Sequence, residues 1–131
     1  MPIVSLYAAL LAIVFVVLSV RTLRMRRRLR IAIGDAGNET MLRAMRAHSN
    51  FAEYVPLSLL LIYFVEQSGA NPRFVHALGL CVLVGRVLHA VGVSRTDERY
   101  AYRVVGMALT LTPLIAASIR LLVFYASKSG P

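Results

Sequence analysis

The sequence predicts an all-α integral membrane protein, a four-helix transmembrane bundle forming one domain over residues 1–131. Three observations carry this expectation. Hydrophobic residues make up 58% of the 131 positions and charged residues only 16%, and the mean hydropathy is +0.67. A soluble domain of this size has too little interior to hide so many apolar side chains. The apolar residues also fall in long runs, at roughly 3–20, 50–67, 74–93 and 104–125. Such runs approach the roughly 20 residues a helix needs to cross about 30 Å of hydrocarbon. Finally, the formal charge of +9 is bunched between these runs, as expected for anchors on the anionic face of a bilayer. The same charge could suggest nucleic acid, but no zinc-ligand set, aromatic-basic sheet motif or soluble recognition helix accompanies it.

The first run, ending at Val20, gives way abruptly to RTLRMRRRLR. A cleaved signal peptide is the competing reading, but the charges follow the apolar run and no small-residue cleavage site is evident. The arginines of 21–30 dominate the orientation and assign their end to the cytoplasm. The segment IAIGDAGNET then reads as a loop whose last residues can cap the next helix. That helix begins polar and becomes apolar, with Pro56 a candidate bend. EQSGANPR, with little net charge, belongs to the opposite side. The third run contains His76, Arg86 and His89, the last two on one face. A charge inside a span is costly unless paired or hydrated, which makes Arg86 a functional or pairing residue. Gly79, Gly85 and Gly92 permit close helix contacts. In SRTDERYAYR, Ser94 or Thr96 can cap the last helix, and Asp97 and Glu98 suit the positive end of its dipole. Tyr100 and Arg103 are three apart and point the same way. Pro113 is a further candidate kink, and Arg120 lies near enough to the far interface to snorkel. Four spans put both termini outside.

The chemistry concentrates in RAMRAHSNFAEYVP, residues 43–56. Arg43, Arg46, Asn50 and Glu53 are spaced by three, four and three, along one side of a helix. Two readings compete. A solvated amphipathic face explains the arginines; a stripe facing protein or a polar ligand also explains why Asn50 and Glu53 continue toward the hydrocarbon. The stripe is expected to face inward, with Ala44, Ala47, Phe51 and Ala52 toward lipid or other helices. Cys81 is the sole cysteine and reads as an inert buried thiol. His48, His76 and His89 are too scattered to read as a metal cluster.

At RAMRAHSNFAEYVP, followed by GRVLHAVG, the chain resembles the membrane-associated proteins in eicosanoid and glutathione metabolism, the MAPEG family, and among them the short-loop bacterial members. The pattern R-A-x-x-N-x-x-E-x-x-P is matched in full by Arg46, Ala47, Asn50, Glu53 and Pro56. The resemblance implies a four-helix protomer in a homotrimer, with glutathione held as cosubstrate between protomers near the cytoplasmic face of a bacterial inner membrane. It further implies glutathione contacts from Arg46, Asn50, Glu53 and Tyr54, polar third-helix positions at Arg86 and His89, and a thiol-activating Arg103; Tyr100, one turn before Arg103, is a further cofactor-binding candidate by its spacing. A basic residue of the first helix near the site is either Arg21 or Arg24. Two hydroxyl positions depart from the family pattern, being Val93 and Met107 here.

The implied activity is a transferase or peroxidase acting on small lipophilic electrophiles or hydroperoxides. Glutathione carries two carboxylates and one ammonium, which several arginines and Glu53 would complement. A guanidinium beside the sulfur would favour the thiolate. Lowering the thiol pKa by one to two units requires about 1.4 to 2.7 kcal/mol, within reach of one charged hydrogen bond. The alternative is a non-catalytic membrane protein in which the same network is structural or binds an anionic lipid.

Overall fold

The computed structural model describes residues 1–95 and 100–128. Four helices follow one another: α1 (Ile3–Leu29), α2 (Glu39–Gln67), α3 (Pro72–Ser94) and α4 (Tyr100–Lys128). The helices α1, α3 and α4 are long and apolar enough to cross a membrane by length and composition. The polar first half of α2 keeps that helix outside this group.

The local chemistry of the sequence explains the helix ends. The basic stretch does not leave the first helix but forms its last turns, where Arg26, Arg27 and Arg28 face the negative end of the dipole. Arg30 closes α1 in the left-handed region at φ 56°, its N–H donating to the carbonyls of Arg26 and Arg27. Asn38 caps α2 by accepting from the Met41 N–H at 2.9 Å, and Asn71 caps α3 by accepting from the Arg73 N–H at 2.9 Å. Ser94 is the last residue of α3 and so does not cap α4 as expected; its hydroxyl accepts a hydrogen bond from Arg21. Thr96, the other expected cap, and Asp97 and Glu98, expected at the positive end of the dipole, lie outside the described residues.

Helices α1, α2 and α3 all touch one another, and α4 packs on α3 and α2 but not on α1. The core between them holds Leu11, Ala47, Phe51, Ile62, Val65, Val75 and Val82. Large apolar side chains remain on the outside, including Ile13, Val17, Leu60, Ile119 and Val123, as a lipid-facing surface requires. Polar ties fasten the start of α1. Glu66, at the end of α2, accepts from the Ile3 N–H at 2.5 Å and the Val4 N–H at 3.0 Å, satisfying donors the helix leaves open. Tyr7 meets His76 Nδ1 at 3.0 Å.

The expected glycine contacts are present. A Cβ on Gly79 would lie 2.3 Å from the Tyr7 ring, and one on Gly85 would lie 2.9 Å from the Gly106 carbonyl. A Cβ on Gly92 would lie 3.0 Å from the Arg103 nitrogen. The bundle can close only because these side chains are missing. Arg120 lies with its guanidinium 5.6 Å from the Phe124 ring.

Candidate functional site

Where the polar half of α2 passes the end of α3 and the start of α4, the helices leave a cleft of about 660 Å³, within the usual range for ligand pockets. From α2 it is lined by Glu39, Arg43, Arg46, Asn50 and Glu53, from α3 by His89 and Val93, and from α4 by Tyr100, Arg103 and Met107. Six sequence-predicted site residues therefore meet here: Arg46, Asn50, Glu53, His89, Tyr100 and Arg103. The stripe faces out from the bundle as well as into the cleft, which corrects the expectation of an inward-facing one. Arg46 and Glu53 are exposed and Asn50 is half-buried, because Ala44, Ala47, Phe51, Val55 and Ser58 occupy the packed face of α2. Ala52, assigned to the apolar side, is exposed and borders an apolar groove between α1 and α2.

The walls are mixed in charge. Arginines 43, 46 and 103 stand with Glu39 and Glu53 around one opening. Arg43 is tied to Glu39 at 2.8 Å, an i,i+4 pair that the spacing alone discloses. The Arg103 guanidinium lies 5.7 Å from the centre of the Tyr100 ring, as their spacing predicts. Close packing of Arg103 on Gly92 brings the start of α4 against the end of α3. His89 is buried at 8% exposure, and its Nδ1 has no hydrogen-bond partner among the described residues.

Two other predicted ligand contacts lie behind the cleft rather than on its wall. Arg86 is 1% exposed. Its Nε donates to Thr110 Oγ1 at 2.9 Å, its Nη1 to Asn50 Oδ1 at 2.7 Å and to the Asn50 carbonyl at 3.3 Å. Tyr54 lies beneath it, ring centre 5.1 Å from the guanidinium carbon. Arg86 can thus reach a ligand only through Asn50 or past Met107, whose sulfur is 3.6 Å from Nη2.

Arg21 and Arg24 are not brought to the cleft within one chain. Both line a separate groove on α1 with Val16, Val17, Arg28 and Asn38. Arg21 also donates to the Ser94 carbonyl at 3.4 Å. Thr110 and Glu39 carry no site expectation from the sequence, and Arg43 is expected in the polar stripe but not as a ligand contact. Thr110 gave no signal, being one hydroxyl in an apolar run, whereas Arg43 and Glu39 lie one turn or more upstream on the same helix.

Comparison with known proteins agrees with this architecture. The MAPEG family matches residues 4–123. The inner membrane protein YecN of Escherichia coli strain K12 is 34% identical over 111 residues, covering 85% of this chain and 83% of its own length. YecN of E. coli O6:H1 strain CFT073 is similar to the same extent, 34% over 111 residues. Together with the apolar helices, these relationships make the chain an integral, multi-pass membrane protein.

Proposed function

The chain belongs to the MAPEG family, and from that premise we propose that it is a glutathione-dependent transferase or peroxidase of the bacterial inner membrane. The observation that carries this reading is the convergence of Arg46, Asn50, Glu53, His89, Tyr100 and Arg103 on one cleft. Its arginines complement the two carboxylates of glutathione, and Glu53 complements the ammonium. The cleft is open on the flank of the bundle. A second copy presenting Arg21 or Arg24 of α1 would close it, with the ligand between protomers, and the family resemblance makes that assembly a homotrimer. In this arrangement α2 is the fourth span, its stripe covered by a neighbour instead of lipid.

The role of each group follows from its chemistry. Arg103 holds the thiolate as the thiol proton leaves to water, and no protein side chain acts as nucleophile. Sulfur then bonds to an electrophilic carbon while the leaving group departs with its electron pair. With a hydroperoxide, sulfur takes the terminal oxygen, the alcohol leaves, and a second glutathione reduces the sulfenic acid to give disulfide and water. The lipophilic substrate enters from the bilayer.

A second reading has its own support. Val93 and Met107 line the cleft without the hydroxyls that the family resemblance leads one to expect, which favours a non-catalytic protein that binds an anionic lipid. Titration of the protein in detergent with glutathione, S-hexylglutathione and a glycerophosphate headgroup separates the two. Saturable binding of the thiol peptides in the low millimolar range or tighter is expected. Binding of the headgroup alone would replace the enzymatic reading.

A further inference from the structure

Arg86 heads the fully buried side chains among the described residues, yet no carboxylate among them pairs with it. Its partners are a hydroxyl, an amide, a backbone carbonyl, a thioether and an aromatic ring. Buried cations are normally paired with an anion, so a guanidinium kept against a cleft wall with only neutral partners among the described residues calls for a reason. The geometry points to one. A guanidinium has only donors, so the Asn50 atom it meets at 2.7 Å is necessarily the carbonyl oxygen. The amide nitrogen is then turned away from Arg86, and it donates to no described residue. Asn50 itself lines the cleft.

We infer that Arg86 fixes the hydrogen-bond sense of the cleft: by holding the Asn50 oxygen inward it presents the two amide N–H donors to the ligand, so that this position selects a carboxylate. Arg86 is a positioning residue in this scheme and touches no substrate. The fork of the side chain is needed because two anchors must be engaged at once, Thr110 through Nε and Asn50 through Nη1. Thr110 is itself oriented, its hydroxyl donating to the Gly106 carbonyl at 2.8 Å, which leaves a lone pair for Arg86. A lysine offers one nitrogen and cannot span both anchors in this planar manner. One helical turn from Asn50, Glu53 is exposed at the same cleft, so neighbouring positions of α2 offer donors and an acceptor. That pairing suits the carboxylate and ammonium of a single amino-acid headgroup. The inference rests on the thiol-peptide reading for its ligand, but not for the orientation of Asn50.

The test uses full-length protein in nanodiscs, with glutathione and its two monoamides, one at each carboxylate. The wild type is expected to favour the free acid over one monoamide by tenfold or more. Arg86→Met should shrink that ratio to threefold or less while leaving affinity for the monoamide within threefold, and Asn50→Asp should invert it. Arg86→Met weakening acid and amide alike, with the ratio intact, would show a merely structural role and overturn the inference. Should Arg86→Met fail to fold, Thr110→Val and Arg86→Lys carry the same comparison. A second measurement needs no thiol peptide: in protein labelled with ¹⁵N-asparagine, the side-chain amide protons of Asn50 should exchange readily with water in the free cleft. Protection of those protons in the wild type would reject the proposed orientation. If the wild type binds none of the three peptides, the glutathione reading falls and the exchange measurement still decides this one.

Discussion

Gly85 of α3 and Gly106 of α4 sit back to back, so that a Cβ added to Gly106 would lie 2.7 Å from the Gly85 carbonyl and 2.6 Å from the His89 nitrogen. Both obstacles are backbone atoms that cannot rotate away. Gly106→Ala should therefore push α4 off α3 and destabilise the protein by about 1 to 3 kcal/mol, the usual cost of overpacking. The cleft would change shape with it, since His89 of α3 and Arg103 of α4 both line it. Thermal unfolding in detergent checks the first effect. An unchanged midpoint would mean that the two helices are not held at this separation.

Arg103 and Glu53 stand at the same cleft but are assigned different tasks. Arg103→Leu should reduce turnover at saturating glutathione by about a hundredfold, as loss of a charge-stabilising donor commonly does, while binding stays within a few-fold. Glu53→Gln should weaken binding with a smaller effect at saturation. The absorbance of enzyme-bound thiolate against pH reports the first directly. An apparent thiol pKa unaltered by Arg103→Leu would transfer the role to Arg21 or Arg24.

Glu66 accepts from two free amides at the start of α1, at 2.5 and 3.0 Å. Replacing it with alanine leaves both donors without that acceptor, and should cost about 1 to 2 kcal/mol, comparable to loss of a helix cap. Glu66→Gln keeps one acceptor oxygen and should recover part of the loss. Hydrogen exchange at Ile3 and Val4 is the local measure; protection there that survives Glu66→Ala would contradict the role.

The basic end of α1 and the start of α2 are expected on the cytoplasmic side, in a trimer. With Cys81 replaced, a cysteine at position 35 should react with a membrane-impermeant maleimide only after the cytoplasmic face is opened. Mass measurement in mild detergent should give three copies. Labelling of intact cells would invert the topology, and a monomer across several detergents would remove the shared site.

The sequence discloses the helices and most of the cleft because both depend on short spacings. Arg46, Asn50 and Glu53 fall on one side of α2 by periodicity alone, and Asn38 announces its cap by position. The direction in which the stripe points was less accessible. It is set by which face packs, and that depends on Ala44, Ala47 and Phe51 meeting helices far away in the chain. Arg86 stands out as a charge in an apolar run, but its partners are 36 and 24 residues away and only the packing of three helices identifies them. Tyr54 illustrates the same limit: four residues beyond Asn50, it could belong to the ligand or the interior, and its ring lies under Arg86. Glu66 gives no cap signal because the helix it caps is not its own.

The pattern of helix contacts sets an order of construction. Helices α1, α2 and α3 each touch the other two, whereas α4 reaches only α2 and α3. As the chain leaves the ribosome from its N-terminus, a three-helix unit can pack with Asn50 already beside Arg86, while Thr110, Tyr100 and Arg103 are still to be made. The cleft gains its final wall only when the last helix docks. A ligand that bridges α2 and α4 would then stabilise completed protomers over nascent ones, so that its concentration would influence how much mature protein accumulates in the membrane.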